Sequence, residues 1–185
     1  MSRRGSSAAG FTLPELLMAV AVLGTVMAIA IPMGLSMTDR MRLNQSLREI
    51  ERELQTARLK AVSLNKSLQV RFNCPAADQY RIVEVMNSGV DNTTNRCNPV
   101  TYPPRTGRDG DPATPDFDGP VRYLTNQVHF PAGTTVFQFA PTGQTVRVVG
   151  TGRQVIAPTG VDLTLTKGTL TGTVNVNGLG RIRIQ

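Results

Sequence analysis

Residues 16–38 read LLMAVAVLGTVMAIAIPMGLSMT, a run of 23 positions without an Asp, Glu, Lys or Arg. As a helix it spans about 35 Å, against a hydrocarbon core of roughly 30 Å, so it is long enough to cross a bilayer. Upstream, residues 1–10 carry Arg3 and Arg4 and no acid. By the positive-inside tendency this holds the N-terminus in the cytoplasm and sends the rest of the chain outward. A secretory signal with Ala28-Ile29-Ala30 as its cleavage site is the competing reading. Two features oppose it. Glu15 sits at the mouth of the apolar run, where a secretory signal has neutral or basic residues, and the helical pattern continues past Ala30 without losing register.

Downstream, Leu43, Leu47, Ile50, Leu54, Ala57, Ala61, Leu64 and Leu68 follow one another at alternating spacings of four and three. That is a core-facing helical stripe. Between them Arg42, Arg48, Glu49, Glu51, Arg52, Glu53, Arg58 and Lys60 form a mixed-sign solvent face. Pairs on such a face contribute only tenths of a kcal/mol, so burial of the stripe must hold the helix down; a coiled-coil dimer is the alternative use of the same pattern. The expectation is one helix from residue 11 to about 68, roughly 85 Å long. Pro32 and Gly34 would kink or locally melt it. Its first half (11–37) is transmembrane and its second (38–68) amphipathic.

The octapeptide Gly10-Phe11-Thr12-Leu13-Pro14-Glu15-Leu16-Leu17 resembles the class III signal of type IV pilins and type II secretion pseudopilins. The resemblance implies that residues 1–10 are a leader removed by a prepilin peptidase between Gly10 and Phe11. It also implies that the new amino group of Phe11 is methylated, that Glu15 is the acidic residue used in filament assembly, and that Pro32 is the kinking proline. Pro14 departs from the pattern, where a branched aliphatic residue is commoner, but proline is tolerated in a first helical turn. Independently of the resemblance, a carboxylate at the hydrocarbon edge is costly unless paired. The ammonium of Phe11, in the same or a neighbouring subunit, is the obvious partner for Glu15; simple reach into the headgroup region is the other.

After Leu68 the period becomes alternating, in runs at Leu68–Phe72, Tyr80–Val85, Val136–Phe139, Thr145–Val149, Val161–Thr166 and Thr173–Val176, bounded by Gly, Pro or Asn. Residues 69–185 therefore read as an antiparallel sheet domain. The run Phe137-Gln138-Phe139-Ala140-Pro141-Thr142-Gly143 and the ending Gly180-Arg181-Ile182-Arg183 resemble the GspH/FimT branch of pilin-like proteins. That implies an α+β fold, a long N-terminal helix packed on a C-terminal β-sandwich. Between the strands, residues 87–120 are a long loop rich in Gly, Pro, Thr and Asp. Asp109, Asp111, Asp116 and Asp118 cluster there without the spacing of a calcium-binding EF-hand, so a solvated acidic loop is expected. Cys74 and Cys97, in a domain placed outside the cytoplasm, are expected to form a disulfide.

The composition is short of catalytic parts. The chain has 185 residues, one His, two Cys and no Trp, enough for one ordinary domain and a tail. No Gly-x-Ser-x-Gly elbow, Walker loop or second His accompanies His129, which reads as a structural residue in a strand; no cofactor or metal is expected. Charge is more informative. Residues 11–120 hold 12 basic and 12 acidic side chains, whereas residues 121–185 hold Arg122, Arg147, Arg153, Lys167, Arg181 and Arg183 against Asp162. Such asymmetry suits a polyanion. Arg181 and Arg183 share one face of the terminal strand beside Gly178 and Gly180, read here as flexible, and two guanidinium forks on one edge suit phosphates. The Gly-Arg-Ile-Arg ending also resembles the C-terminal motif of FimT-type minor pilins that bind DNA; charge protection of an edge strand is the bland alternative.

The expected protein is a non-catalytic minor pilin or pseudopilin of the inner membrane, with its C-terminal domain in the periplasm. Its partners would be prepilin peptidase, other pilins and, through Arg181 and Arg183, double-stranded DNA without sequence preference. A purely structural pseudopilin of type II secretion is the alternative.

Overall fold

The protein is described by a computed structural model covering residues 12–86, 89–93, 95–107, 114–150 and 152–185. Gly10 and Phe11 lie outside the described residues, as do Asp109 and Asp111. The chain divides into two compact units, Met1–Asp39 and Arg40–Gln185. One helix, α1 (Leu13–Leu64), contributes to both.

In the first unit Thr12 occupies the cap position, its carbonyl accepting the Leu16 N–H at 3.2 Å. Pro14 then falls in the first turn, where its missing N–H deprives no carbonyl, and Glu15 lies in the same turn, at the positive end of the helix dipole. The helix continues through Pro32 and Gly34 without a melted turn. Leu16, Val20, Leu23, Met27 and Ile31 are all exposed. The hydroxyls of Thr25 and Thr38 donate to the carbonyls of Val22 and Gly34, at 2.8 and 3.0 Å. Polar atoms satisfied within the helix and apolar side chains left bare are what a lipid solvent requires. This helix is long and apolar enough to cross a membrane.

In the second unit the stripe does what its spacing predicts up to Ala61: Leu43, Leu47, Ile50, Leu54, Ala57 and Ala61 are buried. The helix stops at Leu64, four residues before the sequence reading placed its end. Asn65 adopts φ 53°, Asn65 N–H bonds to the Val62 carbonyl at 3.2 Å and Lys66 N–H to that of Ala61 at 3.1 Å. That is a Schellman C-cap with Asn in the left-handed position. Leu64 is consequently exposed, and Leu68 is buried as the first residue of a strand.

Two antiparallel sheets follow. The larger is ordered β3-β2-β1-β4-β5-β6, from β1 (Leu68–Phe72), β2 (Gln79–Glu84), β3 (Arg122–Tyr123), β4 (Val136–Phe139), β5 (Thr145–Val149) and β6 (Gly152–Val155). The smaller is β7-β8-β9, from β7 (Val161–Lys167), β8 (Leu170–Val176) and β9 (Ile182–Ile184). The expected runs are all strands. The edge strands β3 and β6 were not anticipated, because both are short and solvent-exposed and lack the apolar alternation that marks a half-buried strand. Both sheets and the helix stripe enclose one core, including Phe72, Phe130, Phe137 and Phe139. Gly172 on β8 lies where a Cβ would sit 2.5 Å from Leu47 Cδ1, so its bare backbone is what lets the small sheet approach the helix.

Candidate functional site

The helix face assigned to solvent is in part an inward-facing polar flank. Glu53 is buried and pairs with Arg122, Tyr80 Oη donates to Glu49 Oε1 at 3.1 Å, and Lys60 Nζ lies 4.5 Å above the Phe117 ring. Arg58 is half-buried and reaches two turns of the β domain: Nε donates to the Gly143 carbonyl at 3.0 Å and Nη2 to that of Leu179 at 3.1 Å. Residue type misled the sequence reading here. A charged side chain in a helix is usually solvated, and only the fold supplies the partner that makes burial tolerable.

In the described part of the long loop, Asp116 and Asp118 are not the solvated acids expected. Asp118 and Arg96 are both fully buried, and the Arg96 guanidinium grips the carboxylate with two nitrogens, Nη2 at 2.7 Å from Oδ1 and Nη1 at Oδ2. Arg81, also buried, donates from Nε to the Gly119 carbonyl at 2.6 Å, and its Nη2 lies 3.9 Å from Asp118 Oδ2. Cys74 and Cys97 form the expected disulfide, with Cα atoms 5.6 Å apart, so the loop is clamped covalently beside Arg96. Asp116 pairs with Lys66. Among the described residues there is no cluster of three or more His, Cys, Asp or Glu side chains suited to a metal ion. His129 sits in a single bridge to Thr166 on β7 rather than in a strand, its ring Nδ1 2.7 Å from Asp78 Oδ2.

Two groups here respond to alkali. Hydrogen bonds to Glu84 and then Asp116 raise the Lys66 pKa above its ordinary 10.5, and burial, followed by the charges of Glu49 and Glu53, pushes the Tyr80 phenol up from 10.0. In both, the folded state keeps a proton that the unfolded chain releases. Their stabilisation is therefore complete below the unfolded values and is lost as pH rises through the folded ones. The urea midpoint of the full chain in detergent should fall between about pH 9 and about pH 11.5, and the combined Lys66→Met and Tyr80→Phe variant should show a flatter profile. Equal slopes in the two proteins would refute the assignment.

At the C-terminus, β9 places Ile182 in the core and leaves Arg181 and Arg183 exposed. This is the alternation the sequence implied. Arg183 lies opposite Asn175 on β8, and Asn175 lies opposite Asp162 on β7, its Nδ2 donating to the Asp162 carboxylate at 2.7 Å. Among the cations counted in this region, Arg122 is engaged by Glu53, Arg147 donates from Nε to Gln154 Oε1 at 2.8 Å, and Lys167 is buried and donates to the Asn126 carbonyl at 2.6 Å. The glycines beside Arg181 are not hinges. A Cβ on Gly178 would lie 2.3 Å from the Ile156 carbonyl oxygen, and one on Gly180, whose φ is +77°, would lie 2.3 Å from Arg58 Nε. They permit close packing. At the other end of the chain, Glu15 is exposed on the first turn of α1.

Comparison with known proteins adds two findings. Residues 5–31 match the family described as the prokaryotic N-terminal methylation motif. Two crystal structures of the type IV minor pilin FimU of Pseudomonas aeruginosa (strain PAO1), in space groups P21 and P65, are similar. The first is 14% identical, covering 80% of this chain and 91% of that one with a TM-score of 0.46. The second is 13% identical, covering 77% and 92% with a TM-score of 0.43. No curated protein matches the sequence.

Proposed function

We propose that this chain, type IV pilin-like in its N-terminal motif and in the packing of a long helix on antiparallel sheets, is a non-catalytic minor pilin or pseudopilin. One observation carries the reading: the methylation motif at residues 5–31 runs into an apolar helix whose other half supplies the core of a folded domain. Prepilin peptidase removes residues 1–10 and methylates Phe11, the helix holds the subunit in the inner membrane with residues 40–185 in the periplasm, and subunits pass from lipid into a filament. Glu15 pairs with the Phe11 ammonium of a neighbour, which desolvates both charges only in the correct register. Intact-mass and N-terminal analysis of the membrane-extracted protein should give N-methylated Phe11. A product beginning at Ile31 would end the proposal.

The finer reading is that the subunit binds DNA through Arg181 and Arg183. Two exposed arginines flanking Ile182 support contact mainly to phosphates, with little sequence preference. The full mature chain in neutral detergent should bind a labelled duplex of mixed sequence in a salt-sensitive manner. Replacing both arginines by Ala should reduce the slope of log K against log salt by about 1.8, the value for two phosphates. An unchanged slope would leave the structural role alone. That second reading, a pseudopilin of type II secretion without DNA binding, is favoured by Asp162 in the Arg183 row and by the internal use of Arg122 and Lys167.

A further inference from the structure

The β8–β9 turn that carries Arg181 is closed on almost every side. Gly180 N–H donates to the Asn177 carbonyl at 3.0 Å, Asn177 N–H to that of Arg181 at 3.0 Å, and Thr145 N–H to that of Gly178 at 2.9 Å. The Asn177 side-chain oxygen accepts the N–H groups of Leu179 at 3.1 Å and Arg181 at 2.8 Å. The remaining closure comes from a helix residue 121 positions away in sequence: Arg58 takes the Leu179 carbonyl with Nη2 and the β4–β5 turn, at Gly143, with Nε. Gly180 is the matching gap, since any Cβ there would displace the Arg58 guanidinium and meet the Gly143 carbonyl at 2.5 Å.

We propose that Arg58 is a positioning residue for a phosphodiester-binding edge: it bolts the β8–β9 turn to the helix so that Arg181 and Arg183 are presented together in one conformation. The inference rests on the DNA-binding reading above and extends it to a residue that lies on a different element from both arginines. The physical reason is preorganisation. A turn free to move would have to be ordered at the moment of binding, and that cost would come out of the affinity. Only the guanidinium geometry serves. Its planar fork reaches two carbonyls of two separate turns in fixed directions, whereas a lysine ammonium keeps the charge but loses the fork.

The test is a double-mutant cycle on the full mature chain in detergent, with a short labelled duplex. Arg58→Lys should weaken binding about tenfold although the net charge is unchanged, and it should cost nothing further once Arg181 and Arg183 are both Ala, because it acts only through them. Gly180→Ala should reproduce the loss with Arg58 intact, which keeps the test decisive if Arg58→Lys folds poorly. Wild-type affinity in both single variants overturns the inference and leaves DNA binding standing. A loss that adds fully to that of the arginine pair also overturns it, since it would mean direct contact or general destabilisation. Absence of binding by the unmodified chain removes both readings together.

Discussion

Asp118→Ala is expected to cost about 3–5 kcal/mol of stability, the range for breaking a buried ion pair by removing one partner. Asp118 sits at 0% exposure between two arginines that are themselves at 0–1%. Its carboxylate accepts both Arg96 terminal nitrogens and the Glu84 N–H, the last at 3.2 Å, and Arg96 also donates to the Glu84 carbonyl at 2.8 Å. Burial already pushes the Arg81 pKa down; Asp118 opposes that shift and Arg96 adds to it. Taking the carboxylate away therefore leaves two buried cations without their counter-charge. Urea unfolding of the full chain should show the loss, and Asp118→Leu combined with Arg96→Met should recover a large part of it, because the cost lies in the orphaned charge rather than in the absent attraction. A double variant as unstable as Asp118→Ala would disprove this account.

Reduction of the Cys74–Cys97 bond should cost about 3 kcal/mol in the chain-entropy model, for a loop with a sequence separation of 23. The effect belongs to the same loop, since Cys97 follows Arg96 and its carbonyl accepts Arg81 Nη1 at 3.3 Å. Cys74→Ser with Cys97→Ser, and Asp118→Ala, each release one of two anchors on the same segment. Their combined cost should fall short of the sum, because a loop already freed at one anchor loses less when the second goes. Strict additivity would show that the disulfide and the ion pair restrain independent parts of the structure.

How far the sequence could be read depends on the kind of signal each feature leaves. The helix stripe from Leu43 to Ala61 and the strands at Leu68–Phe72 and Val161–Lys167 were legible because periodic burial is a local property, repeated every few residues. The exposure of Arg181 and Arg183 on either side of Ile182 followed from the same rule. Arg58, Glu53, Asp118 and Arg96 were illegible as interior residues. Each looks like an ordinary surface charge until Gly143 and Leu179, Arg122, or the other half of the Arg–Asp pair is brought beside it from a distant part of the chain. Asn65 did leave a signal that could have been used. An Asn just past the last strongly periodic position is a helix stop, and it would have corrected the end from 68 to 64.

What the amino-acid order determined alone is the division of character along the chain: a charge-free apolar segment long enough to span a membrane, an amphipathic continuation and alternating strands. Hydropathy and period are summed over neighbours, so each segment's preferred solvent is written within it. The tertiary structure alone decided which charges are buried, how the acidic loop is held and what fixes the turn before Arg181. A buried charge persists only where chain closure delivers a counter-charge or a carbonyl within hydrogen-bond reach, and no local window of sequence contains that partner.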